Sequence, residues 1–304
     1  MKEFKIKLVK YYAGAPDPLI IDGFVFSSAI SMEESDALLC LHPDESLFHF
    51  NGPKALYWQE ARANQALYRS SYFRKCMKRL ESRQFLSHWN PDPEYQVPHI
   101  THWDKLSMNK NPDRIDKAVA VISNCGPLLK RLLKNNQAIN LRTRFAVHPN
   151  VDLFGNRKMW NKFRKNIFSM PKCPANYRGE IPGSWGMGAK LKVISKYKAM
   201  VCMENAQEPY YFTEKYLDAV RAGCIPIYHA HETVHNGVLR GAKWVDPADF
   251  RFNVGTTLKF ALAQNIEDYW TINEEWLQSK AVASTNFYTV FKRIGKIFCK
   301  MSEE

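Results

Sequence analysis

Polar and apolar residues alternate with a period of two from Phe4 to Val9 (Phe-Lys-Ile-Lys-Leu-Val), the pattern of a half-buried β-strand. Pro- and Gly-bearing turns follow. After Gly52-Pro53, the run Lys54-Ala-Leu-Tyr-Trp58 predicts a second, apolar strand. From Tyr68 to Arg83, charges interleave with Tyr, Phe, Met and Leu in the spacing of an amphipathic helix. A stretch rich in Pro, His and Trp then runs from Trp89 to Trp103. Irregular aromatic segments of that kind serve either as ligand-facing loops or as packing loops.

The polar residues 107–117, which include Pro112, mark a domain boundary. A buried strand follows, Ala118-Val-Ala-Val-Ile122, ending in Ser123-Asn124-Cys125-Gly126, and a basic helical segment is expected over Pro127–Asn136. The alternation continues to about residue 250. Val151–Gly155 is a short strand with a Gly stop, and Tyr197–Met203 is an apolar strand. Thr213–Ala222 is a helix with Thr213 as N-cap and Gly223 as its stop, and Cys224–Tyr228 is a further strand. Strands alternating with helices predict a parallel sheet covered on both faces, with ligands beyond the carboxyl ends of its strands. The expected division is an N-terminal α/β domain over 1–110, a second domain over 111–275 and a helical tail over 276–304. In that tail Phe287, Val290, Phe291, Ile294, Ile297, Phe298 and Met301 share one helical face, with Lys292, Arg293, Lys296 and Lys300 opposite or beside it. Such a helix can lie on an anionic membrane. Packing across the domain junction is the preferred expectation.

Composition narrows the class. At 304 residues, 45% hydrophobic and 24% charged, the chain is long enough for two cores and too apolar for a disordered protein. Its net charge of +13 is uneven: Lys/Arg and Asp/Glu balance in residues 1–100 and nearly balance in 201–304, so the excess sits in the middle third. A field of that kind suits a polyanion such as a nucleotide diphosphate, a nucleic acid or an acidic membrane, and a merely basic surface is the plain alternative. The seven cysteines are odd in number and form no Cys-x-x-Cys pair, which fits free buried thiols in a reducing compartment. The strand-like start, without a signal-peptide pattern, and the lack of an 18-residue apolar run imply a cytoplasmic protein, at most peripheral at a membrane.

The densest chemistry lies between Tyr197 and Lys215. A buried strand runs into Glu204-Asn205, a polar and aromatic loop follows, and Thr213-Glu214-Lys215 opens a helix. Backbone N–H groups at that helix start and the Lys215 ammonium can hold a diphosphate, and Glu214 can accept hydrogen bonds from a ribose diol. A Glu-Lys pair in a first helical turn is equally an ordinary surface feature. Gly183-Ser-Trp-Gly186-Met-Gly188 lacks the flanking strand and helix of a dinucleotide fingerprint and reads as a ligand-side loop or a turn. His229, His231 and His235 have no convincing carboxylate to complete a metal site, so no metal is expected.

This stretch resembles the signature of the α1,3/α1,4-fucosyltransferases (glycosyltransferase family 10): Tyr-Lys, then Glu204-Asn205, a short loop, Tyr211-Phe-Thr213-Glu214-Lys215, and Ala222-Gly223-Cys-Ile-Pro226. Ser123-Asn124 followed by Lys130-Arg131, Val151-Asp152-Leu-Phe-Gly155 and Trp244-Val-Asp-Pro-Ala-Asp-Phe250 are similar to further segments of that family, so the resemblance covers about residues 118–250. Met203 and Ala206 stand where the family has Phe and Ser. The resemblance implies an α/β chain of GT-B architecture, two Rossmann-like domains facing across a cleft. It implies transfer of L-fucose, with inversion, from GDP-β-L-fucose to a hydroxyl of an oligosaccharide or glycoconjugate, with the 3-OH of GlcNAc in an N-acetyllactosamine-type sugar as the expected acceptor. Donor-binding residues would be Asn124, either Lys130 or Arg131, Glu204, Asn205, Tyr211, Glu214 and Lys215. Glu60 falls where the family's catalytic base would be, with Gln59 in place of a Gly; a solvated strand-end carboxylate is its structural alternative. Cations in place of an Asp-x-Asp metal motif, which is absent from the chain, imply a reaction needing no cofactor and no metal. A GT-B enzyme using another nucleotide sugar is the nearer alternative. A nucleic-acid-binding protein is the more distant one, because no recognition module for nucleic acid is present.

Overall fold

The computed structural model describes residues 3–11, 15–61, 78–122, 137–155, 174–181 and 188–304, with the backbone alone described for 137–140. The chain divides into two compact units. The first comprises residues up to Trp103, Pro209–Tyr211 and Ala283–Glu304; the second comprises Asp104–Glu208 and Phe212–Val282.

The first unit is built on a six-stranded sheet. Its strands are β1 (Phe4–Val9), β2 (Leu19–Ile21), β3 (Phe24–Ser27), β4 (Ala37–Cys40), β5 (Lys54–Tyr57) and β6 (Phe85–Leu86), in the order β2-β3-β1-β4-β5-β6. All neighbours are parallel except the β2–β3 hairpin. That hairpin turns on Asp22-Gly23, both at positive φ (48° and 85°), the backbone of a two-residue primed turn. Side-chain alternation sorts the buried residues. Ile6, Leu8, Leu39 and Tyr57 face one core, while Leu38, Cys40, Leu56 and Trp58 face another that also holds Leu47 of the short helix α1 (Ser46–His49).

The second unit has a five-stranded, all-parallel sheet. Its strands are β7 (Ile115–Val121), β8 (Val151–Phe154), β9 (Tyr177–Gly179), β10 (Tyr197–Val201) and β11 (Ile225–Ile227), in the order β11-β10-β7-β8-β9. Its helices are α2 (Gln137–Ala146), α3 (Ala189–Ile194), α4 (Glu214–Arg221), α5 (Glu232–Asn236), α6 (Val254–Ala263), α7 (Ile266–Leu277) and α8 (Lys280–Ala283). Ala118, Ala120, Ala199, Val201, Ile225 and Ile227 pack with residues of α2 and α6. Val119, Met200 and Cys202 pack with residues of α3, α4 and α7. A sheet covered on both faces needs strands that are apolar throughout, and β10 and β11 are buried almost end to end. Between α4 and β11 the chain turns at Gly223 (φ +69°), where an added Cβ would lie 2.0 Å from the Asn109 carbonyl oxygen. Arg114 fills the same corner and donates to the carbonyls of Asn109, Tyr197 and Ala222 at 2.7–2.9 Å.

Asp152 on β8 binds three neighbouring elements. Its carboxylate accepts from Arg178 (3.0 Å), Lys117 (3.3 Å) and the Tyr197 hydroxyl (3.2 Å). Burial pushes this carboxyl up, yet the hydrogen bonds from Arg178 and Lys117 outweigh it and hold its pKa below the ordinary carboxylate value.

The chain ends in α9 (Phe287–Glu303), which belongs to the first unit. Phe287, Val290, Phe291, Ile294 and Phe298 are completely buried against the β1–β3–β4 face, and Phe291 meets Phe26 edge-to-face at 5.0 Å. At roughly 1.5–3 kcal/mol per fully buried side chain, this face contributes on the order of 10 kcal/mol as an upper estimate. Its basic side is matched locally. Lys292 pairs with Asp22, Lys300 pairs with Glu94, and Arg293 donates to the Pro93 carbonyl at 3.0 Å. The apolar face expected for either packing or a membrane is therefore enclosed in a core. Among the described residues, no helix is long and apolar enough to cross a membrane.

Several sequence expectations shift. Strand β1 is found over the expected residues, but three strands lie between it and Lys54 where only turns were read. Most of the helix expected over Tyr68–Arg83, and all of that over Pro127–Asn136, lie outside the described residues; Ser82–Gln84 form a 3-10 turn leading into β6. The units part between Trp103 and Asp104, ahead of the polar segment, because residues 104–114 hydrogen-bond to the second unit, as Asn109 N does to Arg221 O.

Candidate functional site

The site begins where β10 ends. Its last residues are buried on both faces, and the chain continues through Cys202 and Met203 to Glu204, whose side chain is fully enclosed. A buried carboxylate needs compensating donors, and Glu204 has them. Its Oε1 accepts from the Thr213 backbone N–H at 2.8 Å, the Thr213 hydroxyl at 2.9 Å and the Tyr228 hydroxyl at 3.3 Å. Its Oε2 lies 2.7 Å from the same Thr213 hydroxyl and accepts from Lys215 Nζ at 3.0 Å. Thr213 occupies the N-cap position of α4, but its hydroxyl does not cap that helix; it is turned to Glu204 and also receives Lys215 Nζ at 2.7 Å. The strand end thus anchors the helix start, with Tyr216, Tyr228 and Trp276 packed edge-to-face beneath it.

Lys215 is the consequence of this arrangement. Burial pulls its ammonium pKa down, but the Glu204 carboxylate and then Glu214 more than restore it, so it stays charged well into the alkaline range. Its side chain keeps 22% exposure, with Glu214 Oε1 3.7 Å away. Arg142 on α2, itself buried, acts on Lys215 as a like charge, which places a second cation in the neighbourhood. Lys215 is thus a charged ammonium held between two carboxylates, Glu204 at 3.0 Å and Glu214 at 3.7 Å, with Arg142 acting on it as a further cation. Sequence reasoning missed Arg142. Its signal was an arginine set among the buried Leu141, Phe145 and Ala146.

The other expected residues fall as follows. Asn205 is half-buried in the loop after Glu204, and Glu214 is partly exposed in the first turn of α4. Tyr211 belongs to the first unit, buried with its ring 4.9 Å from His88. Glu60 lies three residues past the end of β5, half-buried at the carboxyl edge of the first sheet. Gln59 beside it accepts the Ile100 N–H at 3.1 Å, and the Tyr57 hydroxyl donates to the Pro98 carbonyl at 2.6 Å, so this strand exit is tied to the Pro98–Ile100 loop. His42 lies past β4; burial lowers its pKa, Lys10 lowers it further and Glu60 opposes them. Asn124, Lys130, Arg131 and most of the Gly183–Gly188 loop lie outside the described residues. His231 caps α5 by accepting the Thr233 N–H at 3.2 Å. Among the described residues, no group of three or more His, Cys, Asp or Glu is placed to hold a metal ion.

No protein-family model and no curated protein matches this chain. Solved structures do. A crystal structure of an α1,3-fucosyltransferase superposes with a TM-score of 0.50 at 13% identity, over 98% of this chain and 90% of that one. A crystal structure of an α1,3-fucosyltransferase with GDP gives 0.51 at 13% identity with the same coverage. The likeness is one of fold. Two parallel α/β units of Rossmann type, in the GT-B architecture, are what this chain shares with those enzymes.

Proposed function

We propose that this protein is a glycosyltransferase whose second unit holds a nucleotide-diphosphate sugar. The observation that carries the reading is the Glu204–Thr213–Lys215 group, a charged lysine locked by a buried carboxylate at the carboxyl end of a parallel sheet. Ligands of open parallel sheets bind at that edge. A diphosphate leaving group needs cations positioned in advance, and Lys215 with Arg142 supplies them; Lys130 or Arg131 is a further candidate.

In its finer form the proposal is inverting transfer of L-fucose from GDP-β-L-fucose to a glycan hydroxyl, the 3-OH of GlcNAc in an N-acetyllactosamine-type acceptor. The motif resemblance supports this form, and so does the fold shared with an α1,3-fucosyltransferase with GDP. Glu60 is the proposed base. Its carboxylate takes the acceptor hydroxyl proton while that oxygen bonds to the anomeric carbon. The bond from that carbon to the diphosphate oxygen breaks with its electron pair, and the new phosphate charge falls to Lys215 and Arg142. Glu204, with both oxygens engaged by protein donors, acts as a positioning residue for Lys215. Glu214, in the first turn of α4, is the carboxylate proposed for the ribose diol.

Thermal denaturation with nucleotides tests the donor. Because a ligand that binds only the native state stabilises it, GDP is expected to raise the melting temperature more than UDP or CMP at equal concentration. Equal shifts for all three would remove guanine specificity, and no shift with any would remove the donor site.

A further inference from the structure

One polar cluster at the carboxyl edge of the second sheet takes no part in the reading above. His229 follows β11 by two residues. Its Nδ1 lies 2.9 Å from Asp246 Oδ1 and its Nε2 3.0 Å from Gln207 Nε2. Gln207 is an exposed side chain in the loop that follows Glu204-Asn205. Its amide nitrogen also reaches the Ala230 carbonyl at 3.4 Å, which sets which end of the amide faces the ring. An amide nitrogen has only hydrogens to offer, so His229 Nε2 is the acceptor, and Nδ1 carries the proton and donates it to Asp246.

The ring is held on its other sides. The same Asp246 oxygen accepts the Ala248 N–H at 2.8 Å, which fixes the carboxylate. Phe252 packs edge-to-face against the imidazole with centroids 5.0 Å apart, and His235 lies 3.8 Å from the second Asp246 oxygen. The side chain of His229 is 15% exposed. The neighbouring residue, Tyr228, is turned instead to Glu204. An oriented lone pair therefore lies one residue along the chain from a member of the Lys215 group, with a single exposed glutamine as its partner.

We propose that His229, oriented by Asp246, accepts a hydrogen bond from a hydroxyl of the bound nucleotide sugar, and that the Gln207 amide is its resting partner, displaced as the donor enters. The inference rests on the donor-binding reading. An imidazole whose Nδ1 proton points to Asp246 and whose Nε2 accepts from Gln207 presents a lone pair there, which repels phosphate oxygens and suits an O–H group. The ribose and the transferred sugar both carry such hydroxyls. Exchange of the Gln207 bond for a ligand bond keeps the imidazole satisfied throughout, so displacement carries little penalty.

Titration calorimetry of the full chain with GDP and with GDP-fucose tests the proposal. His229→Phe, which keeps the ring but lacks the lone pair, is expected to weaken binding roughly tenfold, and His229→Gln, which restores an acceptor, to recover part of the loss. Gln207→Ala is expected to tighten binding several-fold in the wild-type background and to do nothing beside His229→Phe, because it removes a competitor for one atom. A loss confined to GDP-fucose assigns the hydroxyl to the transferred sugar, and a loss shared with GDP assigns it to the ribose. Unchanged affinity in a folded His229→Phe protein overturns the proposal, as does weaker binding in Gln207→Ala. If Lys215→Ala abolishes wild-type binding while His229→Phe leaves it intact, this inference alone fails; if the wild type binds neither ligand, the donor reading fails with it.

Discussion

At the carboxyl edge of the second sheet Glu204 is wholly enclosed, and its two oxygens share donors from Thr213, Lys215 and Tyr228. At the same edge of the first sheet the charges stay in contact with water. Lys10 and Asp44 pair at 3.3 Å with side chains 48% and 27% exposed, and Glu60 is half-buried. The two edges present similar residue types with opposite physical consequences. A charge fixed in a low dielectric acts strongly and needs no rearrangement when a ligand arrives. A charge in contact with water is screened and mobile, and it can meet a varied hydroxyl partner. In the proposed mechanism the second edge serves as the preformed anion holder, and the first supplies the proton acceptor.

The largest expected effect breaks that contrast from the first edge. Glu60→Gln keeps the shape but removes the proton acceptor, so turnover should fall about 100- to 10,000-fold with GDP affinity nearly unchanged. Near-normal turnover would move the base to another carboxylate of the first unit, with Asp92 and Glu94 the next to test. At the second edge, Lys215→Ala and Arg142→Ala should each lower kcat/KM about 100- to 1,000-fold and weaken GDP binding as well. Wild-type kinetics in both would detach the cations from the diphosphate. Lys215→Ala should in addition destabilise the fold by about 3–5 kcal/mol, since it leaves Glu204 without its cation; chemical denaturation measures this.

The third effect is one of pH. The pKa of Asp152 is depressed in the folded protein, so its stabilisation is full above the unfolded value of about 3.9 and drains away as pH falls through the lower folded value. Asp152→Asn should therefore lower stability near neutrality and flatten its fall between about pH 5 and pH 2, which urea midpoints across that range would show. An unchanged acid limb would make the Lys117 and Arg178 contacts energetically idle. The smallest expected effect is none at all: turnover in EDTA should match turnover with added magnesium or manganese, because in the proposed mechanism cationic side chains meet the leaving-group charge. Loss in EDTA with recovery on adding metal would overturn this.

Much of this was legible because burial writes itself into composition. The continuous apolar runs of β7, β10 and β11 and the Thr-Glu-Lys start of α4 all mark themselves in the chain. In the first unit β1 and β5 were legible, but β2, β3 and β4 between them were not. Leu19-Ile-Ile21 and Phe24-Val-Phe26 are too short for a period to emerge, although Asp22-Gly23 between them is a hairpin signal in its own right. Helices α6, α7 and α9 each begin with an asparagine whose side chain caps the first turn (Asn253, Asn265 and Asn286), a mark read at none of the three. Within the site, the residue types at Glu204 and Lys215 pointed to a ligand, but the division of labour between them did not show. That Glu204 Oε1 gains a third donor depends on Tyr228, which the chain delivers 24 residues later.

The position of α9 has a consequence for biosynthesis. The first unit needs Phe287, Phe291 and Phe298 to close one face of its sheet, and those residues are translated only after the whole second unit. Unlike an amino-terminal domain that is complete as it emerges, the first unit cannot cover that face until the second unit has been synthesised. On the ribosome the second unit can complete itself while Ile6, Leu8, Phe26 and Leu39 still wait for their covering helix. During that interval the nascent chain offers an uncovered apolar sheet face to chaperones, and a chain shortened before residue 287 keeps that face uncovered permanently.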